Sequence, residues 1–307
     1  MKRAANKPWN YGRKSTASHI FDIFNVLFLL FMIVITLYPF LYVAFASVSN
    51  PIRLMGQTGL MLRPLGFQLS VYKLVLQNPA IRNGYAVTVF VVVVGTVCNM
   101  AASLLFAYVL SRRNLMFHSF FTFAAVFTMF FGGGMIPTYM VVRAVGLIDS
   151  LWALIIPGLI STYYVIILRT SLYSIPAEME ESAKLDGAGN LRILISILIP
   201  LIVPTIAAIS LFYMVNHWNA WSNALIYIQT PQKFPLQLVL RSILLQSDVN
   251  ATLSGGGATS FDPYESYALS LIIKYCVIMV TIIPIICVYP FIQKYFTKGV
   301  MIGALKG

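Results

Sequence analysis

The chain has 307 residues, 59% of them hydrophobic and only 10% charged. That balance excludes a soluble domain of ordinary make-up and points to an all-α protein embedded in a lipid bilayer. The net charge of +12 does not indicate nucleic acid, because the basic residues are scattered over flanks and loops with no stripe or aromatic interleaving, so the excess reads as topological.

Residues 1–18 carry Lys2, Arg3, Lys7, Arg13 and Lys14 without one acidic residue, the pattern of a segment kept in the cytoplasm. Ile20 to Val48 is apolar. Ala44-Phe45-Ala46 mimics a signal-peptidase site, but the run far exceeds the roughly 7–15 residues of a signal core, so it reads as an uncleaved first span. About 20 apolar residues cross the hydrocarbon. On that ruler six transmembrane helices are predicted, at about 22–47, 84–110, 116–134, 151–171, 197–224 and 267–291. The division that follows is a cytoplasmic segment over 1–18, a six-helix membrane domain over 19–292 and a cytoplasmic tail over 293–307. Of the 21 basic residues, seven fall on the outer side (Arg53, Arg63, Lys73, Arg82, Arg143, Lys233 and Arg241), Lys274 lies within a span, and the other 13 fall inside. This places the N- and C-termini in the cytoplasm, although the first outer loop holds four of those seven.

The third span leads into Phe130-Phe131-Gly132-Gly133-Gly134-Met135-Ile136-Pro137-Thr138-Tyr139. Residues counted from Met116 rise about 24 Å to the glycines, which therefore fall near the outer boundary, where a helix break is expected. A second reading has the glycines permit close helix packing. Met135 to Leu147 is apolar but carries Arg143. A short interfacial helix is expected there, before Trp152 anchors the fourth span.

Residues 176–200, PAEMEESAKLDGAGNLRILISILIP, form the only long acidic stretch between two spans, with Glu178, Glu180, Glu181 and Asp186 supplying four of the nine acidic residues. Pro176 suits a first helical turn and the glutamates complement the positive end of the helix dipole. Met179, Ser182 and Ala183 share a face at i, i+3, i+4 spacing, Gly187 offers a turn, and a second helix is expected from near Asn190. The pair makes a knob over 176–196 that another protein can grip. An ordinary cytoplasmic loop with a capped helix is the alternative.

Pro200 and Pro204 lie in the fifth span, where freed carbonyls are tolerated if neighbours satisfy them. The span ends in Asn216-His217-Trp218-Asn219-Ala220-Trp221-Ser222-Asn223. Polar groups at membrane depth line cavities, and rings and amides suit the C–H faces and hydroxyls of sugars. Asn216, Trp218 and Asn219 are therefore candidates for a solute path, with Tyr163 of the fourth span beside them. An interfacial aromatic belt with helix-to-helix hydrogen bonds is the competing reading. His217 reads as a packing residue rather than a proton carrier. The loop over about 229–266, with Pro231, Pro235 and Ser254-Gly255-Gly256-Gly257, has the composition of an exposed segment. Lys274 in the sixth span either snorkels outward or faces a cavity. Cys98, Cys276 and Cys287 lie in apolar segments without metal-ligand spacing and read as small hydrophobes.

No phosphate loop, nucleophile elbow or H-E-x-x-H motif occurs, so neither catalytic nor metal residues are expected, and no cofactor of the chain's own. Asp22 and Asp149 lie at span ends, whereas ion-coupled carriers place carboxylates near the midplane.

Glu181-Ser182-Ala183, three residues, Gly187, nine residues, Ile197-x-Ile199-Pro200 resembles the EAA loop of ATP-binding-cassette importer permeases, E-A-A-x3-G-x9-I-x-L-P, with Ser182 for an alanine and Ile199 for the leucine. The triple-glycine stretch resembles the F-x-G-G-x-I-P-T-Y of carbohydrate permeases of the polysaccharide and aldouronate branch. Trp218-Asn219 resembles their W-N dipeptide, and Tyr295 to Gly307 their Y-F-x-x-G-x-x-x-G-A-x-K-G ending. The resemblance implies that Glu180, Glu181, Ser182, Ala183, Asp186 and Gly187 dock on a cytoplasmic ATPase. It implies that Gly299, Gly303 and Lys306 insert between two ATPase subunits, a disordered basic tail being the alternative. It implies that the long outer loop reaches toward an extracellular sugar-binding lipoprotein or periplasmic binding protein, a plain linker being the alternative. A second homologous permease subunit, ATP and Mg held by the ATPases, and a multi-pass place in the cell membrane are implied as well. The expected function is thus the permease subunit of a bacterial importer of an oligosaccharide or polysaccharide fragment. A secondary carrier or channel working without an ATPase is the rival class, and a membrane-embedded enzyme lacks any constellation.

Overall fold

The computed structural model describes residues 16–112, 115–245 and 263–304, and among them every regular element is helical. The long helix α1 (Thr16–Ser47) is followed by the short α2 (Pro51–Met55) and α3 (Ser70–Gln77), then by α4 (Pro79–Leu110). Next come α5 (His118–Phe130) and α6 (Met135–Ala144), then 3-10 turns at Leu151–Leu154 and Ile156–Gly158 that lead into α7 (Thr162–Tyr173). An elbow follows, made of α8 (Ala177–Leu185) and α9 (Asn190–Leu201). The chain finishes with α10 (Val203–Trp218), α11 (Trp221–Tyr227), α12 (Leu236–Leu245) and α13 (Pro263–Ala304). Three helices cross a bilayer on length and composition: α1, α4 and the Tyr267–Val288 part of α13. Three bent pairs bring the number to six: α5 with α6 at 115°, the 3-10 turns with α7 at 54°, and α9 with α10 at 87°.

Each bend has a local cause. Gly134, at φ +82, precedes α6, so the break expected at the triple glycine is present. A β-carbon on Gly132 or Gly134 would meet nothing within 4 Å among the described residues, so within this chain these glycines serve the turn. Pro157 and Gly158 hold the start of the fourth span in 3-10 turns, and the helix expected over 151–171 is α-helical only from Thr162. At the elbow, the ring of Pro204 would collide with the carbonyl of Pro200 if α9 ran straight on. The chain turns instead through Ile202, after a π-helical stretch at Leu194–Leu198. The span expected over 197–224 is accordingly bent at Ile202, with α9 before the bend and α10 after it, and it ends at Trp218, with α11 separate.

The bundle is built round α4. Its buried residues recur every three or four positions, at Ile81, Gly84, Thr88, Val91, Gly95, Asn99, Ser103 and Ala107. Such a stripe of small side chains lets neighbouring backbones approach, which is how helices associate in lipid. A β-carbon on Gly84 would sit 3.1 Å from Leu236 Cα, and one on Gly95 would sit 2.6 Å from His217 Nε2. The helix also joins two cores. One, at the elbow end, gathers Leu104, Ala107, Leu110, Leu168, Ile193, Leu198 and Ile209. The other, toward the opposite end, gathers Ala46, Met61, Val75, Ile81, Leu236, Ile272 and Cys276. By contrast, none of the most apolar stretch of α1 is buried. Its last turns hold it: Tyr42 meets Tyr275 edge-on at 6.0 Å, and Tyr38 Oη accepts from Met61 N at 3.0 Å.

The boundary expected at residue 292 is unmarked, since α13 continues unbroken to Ala304. Gly299 and Gly303 fall in its final turns. Lys306, the basic residues of 1–15, Arg113 and the tip of the long loop lie outside the described residues.

Candidate functional site

At the elbow, α8 carries Glu178 and Glu180 in its first turn and Lys184 in its last, a dipole complement worth about 0.3–1 kcal/mol per charge. It ends in a Schellman turn. Gly187 N donates to the Lys184 carbonyl at 3.0 Å and Ala188 N to the Ala183 carbonyl at 2.9 Å, with Gly187 at φ +79. Glycine is thus required here by backbone geometry, and a side chain in this conformation costs roughly 1–2 kcal/mol.

The six residues expected to face a partner divide. Glu181, Ser182, Asp186 and Gly187 are exposed, and Leu185 beside them is 89% exposed. Ala183 is buried against the elbow-end core, so the face expected from Met179, Ser182 and Ala183 is split, with Met179 and Ser182 on the free side. The helix buries only a narrow edge, formed by Glu180 and Ala183. Glu180 turns inward and pairs with Arg112 through both carboxylate oxygens, one of them 3.0 Å from a guanidinium nitrogen. The Arg112 guanidinium carbon lies 4.0 Å from the centroid of the Tyr108 ring, and Tyr108 Oη donates to the Asn190 carbonyl at 3.2 Å. By sequence Arg112 counts only among the inner basic charges, and its place just past the C-terminal end of α4 is the signal for its role.

In the middle of the bundle, Asn216 and Trp218 line a groove of about 370 Å³ with Tyr164, Phe212, Pro284 and Val288. Asn216 Nδ2 approaches Tyr164 Oη at 3.4 Å. The Tyr164 ring stacks on Phe212 at 5.8 Å and meets Tyr213 edge-on at 4.8 Å, a rigid aromatic wall. Tyr163 is 57% exposed and edges against Tyr164 at 5.6 Å, so it adjoins the groove without being among its lining residues. Asn219 turns elsewhere, its Nδ2 donating to the Val215 carbonyl at 2.9 Å and its Oδ1 accepting from Gln237 at 3.5 Å. The Trp218 indole N–H is buried with no partner among the described residues.

A polar relay crosses behind this groove. Asn99 Nδ2 donates to the carbonyls of Gly158 and Leu159 at 2.7 and 2.9 Å, the two groups freed where the fourth span breaks. With its amide nitrogen so committed, Asn99 offers Oδ1 as acceptor to His217 Nε2 at 2.8 Å. His217 is therefore buried and satisfied, the packing role expected of it, with Nε2 donating. Ser103 and Tyr213 add a second buried link between α4 and α10 at 2.8 Å.

At the opposite end, Asp149 in the left-handed conformation ties two loops together. It accepts from Thr230 Oγ1 at 2.6 Å, Lys233 Nζ at 2.9 Å, Thr230 N at 2.9 Å and Gln229 N at 3.0 Å. The Thr230 hydroxyl first, then Lys233 and the two backbone N–H groups, hold its carboxyl well below the usual carboxylate range.

Broken spans round an aromatic and largely apolar groove, with an exposed acidic elbow at one end, are the build of a membrane permease. No family model matches the sequence. The chain is 40% identical over 291 residues to the polygalacturonan/rhamnogalacturonan transport system permease protein YtcP of Bacillus subtilis (strain 168), covering 94% of this chain and 99% of that one. It is 38% identical over 291 residues to protein LplC of the same organism, covering 95% and 96%. Among solved structures, a chain of a bacterial ABC transporter involved in the import of the acidic polysaccharide alginate shares 32% identity and superposes with a TM-score of 0.85, covering 92% of this chain and 99% of that chain. The chain belongs to the permease subunits of ATP-binding-cassette carbohydrate importers.

Proposed function

We propose that the chain is one of two homologous permease subunits of a bacterial importer for an acidic oligosaccharide or polysaccharide fragment. It sits in the cell membrane with the elbow and both termini in the cytoplasm, and forms half of the path. The observation that carries the reading is the free face of α8, where Glu181, Ser182, Leu185, Asp186 and the Schellman glycine Gly187 stand clear of the bundle. That face is a rigid, acidic docking surface for an ATPase, and the last turns of α13 with Gly299 and Gly303, together with Lys306 of the sequence beyond them, are read as a second contact. Two ATPase subunits bind ATP and Mg, and a sugar-binding protein delivers solute. ATP-driven closure rocks the bundle between two states, presenting Asn216, Trp218 and the Tyr164 wall to one side or the other.

The acidic class of solute is supported by charge. Arg53, Arg63, Lys73, Arg82 and Arg143 are exposed at the end proposed as outer, while Asp149 is already neutralised by Lys233. A cationic mouth concentrates anionic solute. The test is reconstitution of the whole importer in proteoliposomes with its binding protein. Oligogalacturonate-loaded binding protein is expected to stimulate ATP hydrolysis and uptake several-fold. Stimulation by a neutral arabino-oligosaccharide alone would remove the acidic class, and uptake by the permease without an ATPase would remove the importer reading.

A further inference from the structure

We infer that the Arg112–Glu180 pair, seated on Tyr108, is the link that carries motion of the elbow into α4, which makes Arg112 a positioning residue for transport. This rests on the elbow being the ATPase docking site. Toward its N-terminus α8 joins α7 directly through residues 174–176, and Ala183 packs into the elbow-end core; two further routes lead onward from α8 into the bundle. The covalent route passes the Gly187 turn, the π-helical stretch of α9 and the 87° bend at Ile202, between two prolines that lack backbone donors. A chain of joints in series bends under load.

The second route is short and stiff. A bidentate guanidinium–carboxylate pair fixes orientation as well as distance. Its side chains are only 26% and 18% exposed, and the Tyr108 ring backs the guanidinium. Tyr108 Oη also holds the Asn190 carbonyl, so α8 and the start of α9 are fastened to the last turn of α4 and to Arg112 just beyond its end. From there α4 reaches the fourth span through Asn99, α10 through His217 and Tyr213, and the first turn of α12 through Thr88, whose Oγ1 accepts from Leu236 N at 2.8 Å. A push on α8 is thereby delivered to the α4, fourth-span and α10 walls of the groove. Glu180, inward and paired, is then a member of this bracket and not of the docking face.

The test uses the complete importer with Glu180→Arg, Arg112→Glu and the double exchange. Three quantities are read: cross-linking of Glu181→Cys to the ATPase, basal ATP hydrolysis, and uptake per ATP. Each single reversal is expected to keep the cross-link and basal hydrolysis while lowering uptake per ATP about tenfold, with substantial recovery in the exchange. Unchanged uptake per ATP in Arg112→Glu, or an exchange no better than the single reversals, overturns the inference. Loss of the cross-link in Glu180→Arg alone would assign Glu180 to the docking face and overturn it as well. Absence of the cross-link in the otherwise unaltered protein would instead remove the docking reading itself. Should a reversal prevent assembly, Arg112→Lys keeps the charge but not the fork. A normal uptake ratio in that variant also counts against the bracket.

Discussion

Gly187 is held at φ +79 by two backbone hydrogen bonds, with open space where a side chain would go. Any effect of substitution there is therefore conformational rather than a clash. Gly187→Val should cost roughly 1–2 kcal/mol of local stability and tilt the free face of α8. Uptake per ATP is expected to fall about tenfold with assembly retained. Gly189, two positions on at φ −70, also has open space, so Gly189→Ala is expected to behave as unaltered protein. Equal effects at both sites would contradict a backbone cause. Asp149 makes a different kind of prediction. Its folded-state carboxyl binds a proton less tightly than the unfolded chain does, so its stabilisation is complete above the unfolded pKa of about 3.9 and is lost as pH falls toward the lower folded value. The melting temperature of solubilised protein should exceed that of Asp149→Asn by a constant margin from about pH 8 to 5, and the margin should shrink below about pH 4. A margin independent of pH would show that the latch does not act through charge.

Among the elements, the broken spans share one requirement, which is that backbone groups freed in lipid find partners. For the fourth span the partner is Asn99, so Asn99→Leu leaves the Gly158 and Leu159 carbonyls unmatched at similar volume. A destabilisation of about 1–3 kcal/mol is expected, read as a lower melting temperature in detergent. Asn99→Asp, which keeps the acceptor for His217 but loses both amide donors, should do no better. How much of this was legible beforehand depends on the range of each cause. The break at Gly132-Gly133-Gly134, the start of α9 near Asn190 and the turn at Gly187 have their causes within a few residues and were readable. By sequence the 3-10 start of the fourth span and the right-angle turn at Ile202 pass as continuous helix, because proline is compatible with a span when neighbours compensate. The pairs that fix the site join residues 68 and 118 positions apart, Arg112 with Glu180 and Asn99 with His217. No local pattern specifies such contacts. Asn219 looked equivalent to Asn216, yet the helix ends between them and sends it to Gln237.

For the molecule as a whole, the two ends of the bundle are distinct in structure, but their sides of the membrane are argued from charge. One end carries the elbow with Arg112, Arg169, Lys184 and Arg192. The other carries α2, α3, α6 and the Asp149 latch, together with Arg53, Arg63, Lys73 and Arg82, which run against the usual bias. Cysteine labelling decides the matter. In intact cells a membrane-impermeant maleimide is expected to modify Arg82→Cys and Arg143→Cys and to leave Glu181→Cys and Arg192→Cys unmodified until the membrane is opened. All four positions are exposed, so shielding by the protein's own fold does not explain a negative result. The reverse pattern would place α8 on the side that holds no ATP, and the docking face, the Arg112 bracket and the cationic outer mouth would fall together, since all three assume the same orientation.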